Sequence, residues 1–388
     1  LYVATGYAGA PADRETHRPV AGYSPLLASA IDLAAVPNQT TVILKEKWRF
    51  ESGGIIGAAA TVANGVVYFG STDKHLYAFK AETGQERWHF ETGGGIWSAP
   101  VVAAGTVFFG SDDGYLYALH SWRGEERWAF RAGSSVRSSP AFAAGRVYFG
   151  SDAGNFYALD GETGQIEWTF EANGPVHTRP AVTNRVVYFG SEDGSTSMGT
   201  GHVYALDSQT GQILWHFESG GGVSSSPHIY DGIVYFGSDD GYLYALDNQT
   251  GLEKWRFKTG GPVKSSPVVI GEVVYFGSDD HHLYAVDRRT GAIRWKFETG
   301  FWVVSSPAVV DGLVYVGSSD TNLYVLDRIS GEVRLVFSAK GNISAAPVVS
   351  NQIIYFGSYD SNFYALRFGR QDKNLMYAGL PHSEPTGA

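Results

Sequence analysis

The chain contains no cysteine and only two methionines in 388 residues. The first absence excludes disulfides, thiolate metal centres and cysteine nucleophiles, and leaves the redox compartment open. Charged residues are sparse at 18%, and the formal net charge of -10 argues against a general nucleic-acid binder, which needs a basic face. No apolar run reaches the roughly 20 residues of a membrane-spanning helix. Helical periodicity is absent as well. What remains is a chain 44% hydrophobic and 14% aromatic with 49 glycines, the composition of many short strands joined by tight turns. Its start at Leu1, without a charged leader or signal core, reads as a processed or trimmed end and does not imply a cytoplasmic home.

Those strands repeat. The stretch Val234 to Phe257, VYFGSDDGYLYALDNQTGLEKWRF, recurs with changes along most of the chain. Its W-x-F landmark falls at Trp48, Trp88, Trp128, Trp168, Trp215, Trp255 and Trp295, with Leu335 in the last copy; the spacing is 40 except for one step of 47. A period near 40 with four strands per unit is the pattern of a propeller. In the sixth copy, strand A is expected over Val263 to Ile270, B over Val273 to Ser278, C over His282 to Asp287 and D over Ala292 to Glu298. Asp279-Asp280 turns B into C, and Arg289-Thr290-Gly291 turns C into D. The eighth copy has no W-x-F strand after it, while Val42 to Phe50 is such a strand with no A, B or C before it. The expected fold is therefore all-β: one eight-bladed β-propeller of four-stranded antiparallel blades, its last blade closed by the N-terminal strand, which removes an open sheet edge. Residues 1-40 read as an extension or linker with one short strand at Leu1 to Thr5, 41-368 as the propeller, and 369-388 as a tail that packs through Leu375, Met376 and Tyr377.

Repeated residues read as structural. The seven tryptophans, at equivalent positions, are wedges between blades. The Ser-Asp-Asp-Gly loops, such as Ser111 to Gly114, carry paired carboxylates but lack the ligand spacing of a calcium loop and read as turns. Different blades separate most of His75, His202, His281 and His282, and the adjacent His281 and His282 would point to opposite faces of a strand, so no metal site is expected, and no catalytic constellation is present.

The pattern A-x-D-x-x-T-G-x-x-x-W, as in Ala158 to Trp168 (ALDGETGQIEW) and Ala245 to Trp255 (ALDNQTGLEKW), resembles the tryptophan-docking repeat of quinoprotein dehydrogenases. Those are eight-bladed propellers that bind pyrroloquinoline quinone (PQQ) with calcium. The repeat is also similar to that of non-catalytic relatives, including the propeller scaffold of bacterial outer-membrane protein assembly and sensor domains of kinases. The dehydrogenases are much longer, with an adjacent cysteine pair beside the cofactor. This chain has no cysteine and one seven-residue insertion, Ser195 to Gly201, between strands B and C of blade four. The resemblance therefore implies a periplasmic or extracellular scaffolding propeller without cofactor, closer to the assembly scaffold than to the enzymes. A PQQ- and calcium-dependent oxidoreductase and an extracytoplasmic ligand sensor are the alternatives.

Function then rests where copies differ, at the entrance to strand A. Three residues before the landmark proline (or Ala60) the copies read Gly57, Trp97, Arg137, His177, Ser224, Lys264, Val304 and Ser344; one residue before it they read Ala59, Ala99, Ser139, Arg179, Ser226, Ser266, Ser306 and Ala346. Trp97, Arg137, His177, Arg179, Lys264 and, from blade seven, Trp302 beside Phe301 are the candidate ligand- or partner-binding residues. On this column alone, one mouth of the central channel carries a cluster of positive charge suited to an anionic small molecule or the acidic part of a protein partner, in a membrane-associated assembly. The same bases would be neutralised if they paired with loop carboxylates such as Asp112, Asp152 or Asp193.

Overall fold

The computed structural model of the protein describes residues 41–192 and 199–371. The expected strand at residues 1-5, the rest of the extension, most of the blade-four insertion and the tail at 375-377 lie outside the described residues. The described chain forms eight four-stranded antiparallel sheets. Seven take four consecutive strands each, from Thr61–Ala63 to Glu86–Glu91 in blade one through Ala308–Val310 to Val333–Ser338 in blade seven. The eighth joins Val348–Ser350, Ile353–Gly357 and Asn362–Gln371 to the N-terminal strand Thr41–Glu51. Phe50 lies opposite Phe363 there, and the pairing runs out to Thr41 opposite Gln371. The strand therefore continues three residues past the boundary at 368 drawn from the repeat. Innermost strands of neighbouring blades adjoin all the way round, first against last. The result is an eight-bladed β-propeller.

Strand B is apolar at nearly every position because both its faces are covered by neighbouring blades; in blade five Ile233–Gly237 is buried throughout. Strand D has one face in contact and one in water, so its burial alternates. Strand A is shorter than expected, Val268–Ile270 rather than 263-270 in blade six. The reason is Pro267, which has no N–H, and the preceding residues, which bond sideways: Ser266 N–H donates to Ser306 Oγ of the next blade at 2.9 Å. The segment still runs extended, but its hydrogen bonds stitch blades together.

The tryptophans form the other stitch. The Trp215 ring lies over Gly251 in the next blade's C–D turn, where an added Cβ would sit 2.8 Å from the ring; that glycine also has a φ of +70°, so turn and ring both demand glycine there. Trp215 Nε1 donates to Asn248 O at 3.0 Å, and Tyr188 Oη of the same blade donates to the same carbonyl at 3.1 Å. In the closing blade, Trp48 and Tyr355 converge in the same way on Ala81 O, at 3.0 and 2.9 Å, although they are 307 positions apart in sequence. Blade eight has no C–D turn, because its outer strand comes from the other end of the chain. The strand of blade seven that would dock there carries Leu335 instead, which packs beside Leu44 and Phe368.

Candidate functional site

The D–A links and the B–C loops lie on one face. Asp112 N–H donates to Gly95 O and Ser319 N–H to Trp302 O, both at 2.9 Å. Each B–C loop opens with two residues of separate duty. The second, where it is a described aspartate, is a latch: Asp113 accepts from Gly93 N–H at 2.7 Å, from Tyr115 N–H at 3.0 Å and from Tyr117 Oη at 2.8 Å, whereas blade three has Ala153 there. Asp73, Asp240, Asp280 and Asp320 repeat this arrangement, which saturates the carboxylates. The first residue of each pair faces the mouth, where it meets the strand-A entrance residues.

Among the described residues, five acids and three bases interleave there. Arg137 Nε donates to Asp112 Oδ1 at 2.8 Å while its Nη1 lies 3.4 Å from Asp152 Oδ2. His177 is held between Asp152 Oδ1, at 3.0 Å from Nε2, and Glu192 Oε1, at 3.2 Å from Nδ1. Lys264 Nζ is 3.1 Å from Asp279 Oδ2. Burial works against the His177 charge, but the hydrogen bonds to Asp152 and Glu192 outweigh it and raise its pKa to about 9. Read alone, the strand-A column suggests a positive opening. With the loop carboxylates in place, acids outnumber bases, so the cations are spoken for within the ring.

The alternation fails once, at blade five. There Ser224 stands where Arg137, His177 and Lys264 stand in blades three, four and six. Glu192 and Asp239 consequently approach across Gly222 with no base between them; a Cβ on that glycine would lie 3.2 Å from Glu192 Cγ and 3.4 Å from Asp239 Oδ2. Ser224 Oγ and Asp239 Oδ1 are buried without a hydrogen-bond partner. Burial, with the added repulsion of Glu192 and Asp279, raises the Asp239 pKa to about 6 in spite of Lys264.

The other side of the mouth is aromatic. Trp97 crosses over Gly57 to meet Tyr359 of blade eight edge-on, with ring centroids 6.5 Å apart. Trp302 packs on Phe301 at 4.7 Å, and Phe301 stacks on His281 at 5.4 Å. Trp302, Phe301 and Tyr359 are 45%, 41% and 39% exposed, unusual for rings of this size on an open face. The two candidate tryptophans thus belong to separate aromatic pairs. Arg179 is not part of the mouth network: it lies one step deeper in the channel. Sequence reasoning missed Glu192, Asp239, Asp279 and Tyr359. A column of the first B–C loop residues, compared across copies in the same way as strand A, would have shown them.

The architecture defines the class as an eight-bladed propeller of PQQ-like repeats. The chain belongs to the family described as outer membrane protein assembly factor BamB, whose profile matches residues 45–139, 112–198 and 199–383. Among solved structures it is similar to BamB from Moraxella catarrhalis, with a TM-score of 0.72 at 19% identity over 84% of this chain and 100% of that one. It is similar also to a europium-containing methanol dehydrogenase, with a TM-score of 0.73 at 13% identity over 84% of this chain and 93% of that one. A quinohemoprotein alcohol dehydrogenase from Comamonas testosteroni gives 0.73 at 15% identity over 83% and 76% respectively. No curated protein sequence matches the chain. At these identities the structural likeness establishes the fold.

Among the described residues no three His, Asp or Glu side chains are placed to hold a metal ion together. The latch carboxylates are saturated, and the mouth acids exceed the mouth bases.

Proposed function

We propose that the protein is a non-catalytic docking propeller of the cell envelope, periplasmic and part of an outer-membrane assembly, which binds a protein partner across the B–C mouth. The carrying observation is the two-sided mouth: exposed aromatics at Tyr359, Phe301 and Trp302, with half-buried Trp97, face a charged arc whose one missing base is at Ser224. Large flat rings supply contact area at low entropic cost, and a fixed charge network sets orientation. The gap between Glu192 and Asp239 favours a lysine or arginine from the partner, which would complete the alternation that the chain itself leaves open. The BamB family relationship supports this reading. The similarity to quinoprotein dehydrogenases, at 13% and 15% identity, reaches the fold.

The test is capture from solubilised envelope extract by the tagged chain, compared across variants. Trp97→Ala with Trp302→Ala, and separately Ser224→Lys, are expected to lose the partner that wild type retains. Ile329→Ser, on the opposite C–D face, is expected to keep it. Capture that survives at the mouth and fails at Ile329 would overturn the docking face. A saturable absorbance change with PQQ and calcium, abolished by Arg137→Ala, would establish the oxidoreductase instead.

A further inference from the structure

Beneath the mouth the channel has a second tier. Along the blade-four entrance, burial alternates: Val176, Thr178 and Pro180 are turned into the blade, while His177, Arg179 and Ala181 face the channel. Thr178 Oγ1 donates to Gly190 O at 3.0 Å, which fixes this orientation. The second tier therefore consists of Ala59, Ala99, Ser139, Arg179, Ser226, Ser266, Ser306 and Ala346. It holds one guanidinium, four hydroxyls and no carboxylate. Among the described residues Arg179 has no ion-pair partner, unlike Arg137 one tier above.

The hydroxyls are oriented. Ser226 Oγ accepts the Arg179 N–H at 2.9 Å, and Ser139 Oγ accepts the Ala99 N–H at 2.8 Å. Ser266 and Ser306 accept from Ser226 N–H and Ser266 N–H in the same way, at 2.9 Å each. Each oxygen receives a backbone proton from the neighbouring blade, so its own O–H is left to donate into the channel. Arg179 thus has a hydroxyl donor on either side, from blades three and five. The third tier offers Ala141, Ala181, His228 and Val268, and burial keeps His228 neutral by lowering its pKa to about 4. Among the described residues, the strand-A positions below the tier carry no carboxylate.

We infer that this tier is a binding site for a monovalent oxoanion, a carboxylate, gripped by the Arg179 fork and by the Ser139 and Ser226 hydroxyls. A half-buried cation left unpaired is costly, and a guanidinium does not escape by losing its proton at neutral pH. Burial lowers the Arg179 pKa only to about 10, so the charge persists. Two parallel N–H donors match the two oxygens of a carboxylate, and flanking hydroxyls complete its lone pairs. One fixed positive charge, beneath a mouth with excess acid, selects a monoanion over a dianion. The carboxylate is either a free small acid or the C-terminal carboxylate of a segment threaded through the mouth. The site is independent of docking at the rim, because its residues lie below the mouth network.

Thermal melting and calorimetric titration of the full chain at constant ionic strength test this. The probes are sodium acetate, a short peptide with a free C-terminus, and the same peptide amidated. Saturable stabilisation by acetate is expected, reduced at least about 10-fold in apparent affinity by Arg179→Gln and partly by Ser226→Ala. Arg179→Lys, which keeps the charge but loses the fork, guards against a folding defect and is expected to bind more weakly than wild type. Binding of the free-ended peptide without acetate or amide binding supports the site and assigns the carboxylate to a polypeptide terminus. No saturable response to either carboxylate, or equal responses in wild type and Arg179→Gln, overturns it. Changes at Trp97, Trp302 or Ser224 are expected to leave acetate binding intact, which separates this result from the docking test.

Discussion

At the scale of single residues, the mouth is a set of ionisable groups whose charges are fixed by their immediate neighbours. His177, between Asp152 and Glu192, holds a proton in the folded protein up to about pH 9, whereas an unperturbed histidine releases it near 6.5. Between those values the folded state binds more protons than the unfolded one, so stability falls as pH rises through that window. The expected loss is on the order of 1–3 kcal/mol, read as a declining melting temperature from pH 6.5 to 9 and flattened by His177→Gln. Asp239 acts in a lower window with the same sign. Its carboxyl, raised to about 6, retains a proton that the unfolded chain gives up near 4, so stability also falls between those values. Asp239→Asn is expected to abolish that acid-side slope and leave the His177 slope in place.

At the scale of elements, the recurring joint is a tryptophan and a tyrosine of one blade sharing one carbonyl of the next. Trp215→Ala is expected to cost about 3–5 kcal/mol in denaturant unfolding, since it removes a large buried ring and leaves a cavity over Gly251. The joint between blades two and three is different. Phe108 replaces the tyrosine and stacks on Phe142 at 5.6 Å, while Trp128 Nε1 is buried without a partner. Phe142 also crowds the Gly161 backbone that offers the equivalent carbonyl. Phe108→Tyr is therefore expected to add about 1 kcal/mol by bonding the Gly161 carbonyl, measured as a raised denaturation midpoint. A decrease would show that this joint has no room for the hydroxyl.

At the scale of the whole molecule, stability depends on joining the chain's two ends. The strand Thr41–Glu51 supplies the outer edge of blade eight and the Trp48 that docks blade eight onto blade one. Without it, an edge strand and the side of blade one are exposed together. Deleting residues 1–51 is expected to lower the melting temperature sharply and to promote aggregation, whereas deleting 1–40 spares the joint. An unchanged melt for the longer deletion would contradict closure as a stabilising element.

Blade number, strand order and the closing strand were legible in the sequence because each follows from a local rule: strands that alternate or run apolar, turns that need glycine, and a landmark that recurs every 40 residues. Even the loss of tryptophan at Leu335 was visible, though its cause, the missing C–D turn of blade eight, is tertiary. The candidate residues at the strand-A entrance were found in the same way, as breaks in the pattern. Their electrostatics were not. Arg137 and His177 face carboxylates 25 positions away in another blade's loop, and a linear column of strand-A residues does not include those partners. The sequence by itself determined the propeller, because a repeat encodes the same local contacts eight times. Only the tertiary structure decided which charges are paired at the mouth and which one, Arg179, has no ion-pair partner among the described residues below it, because pairing depends on distances between blades that no single repeat contains.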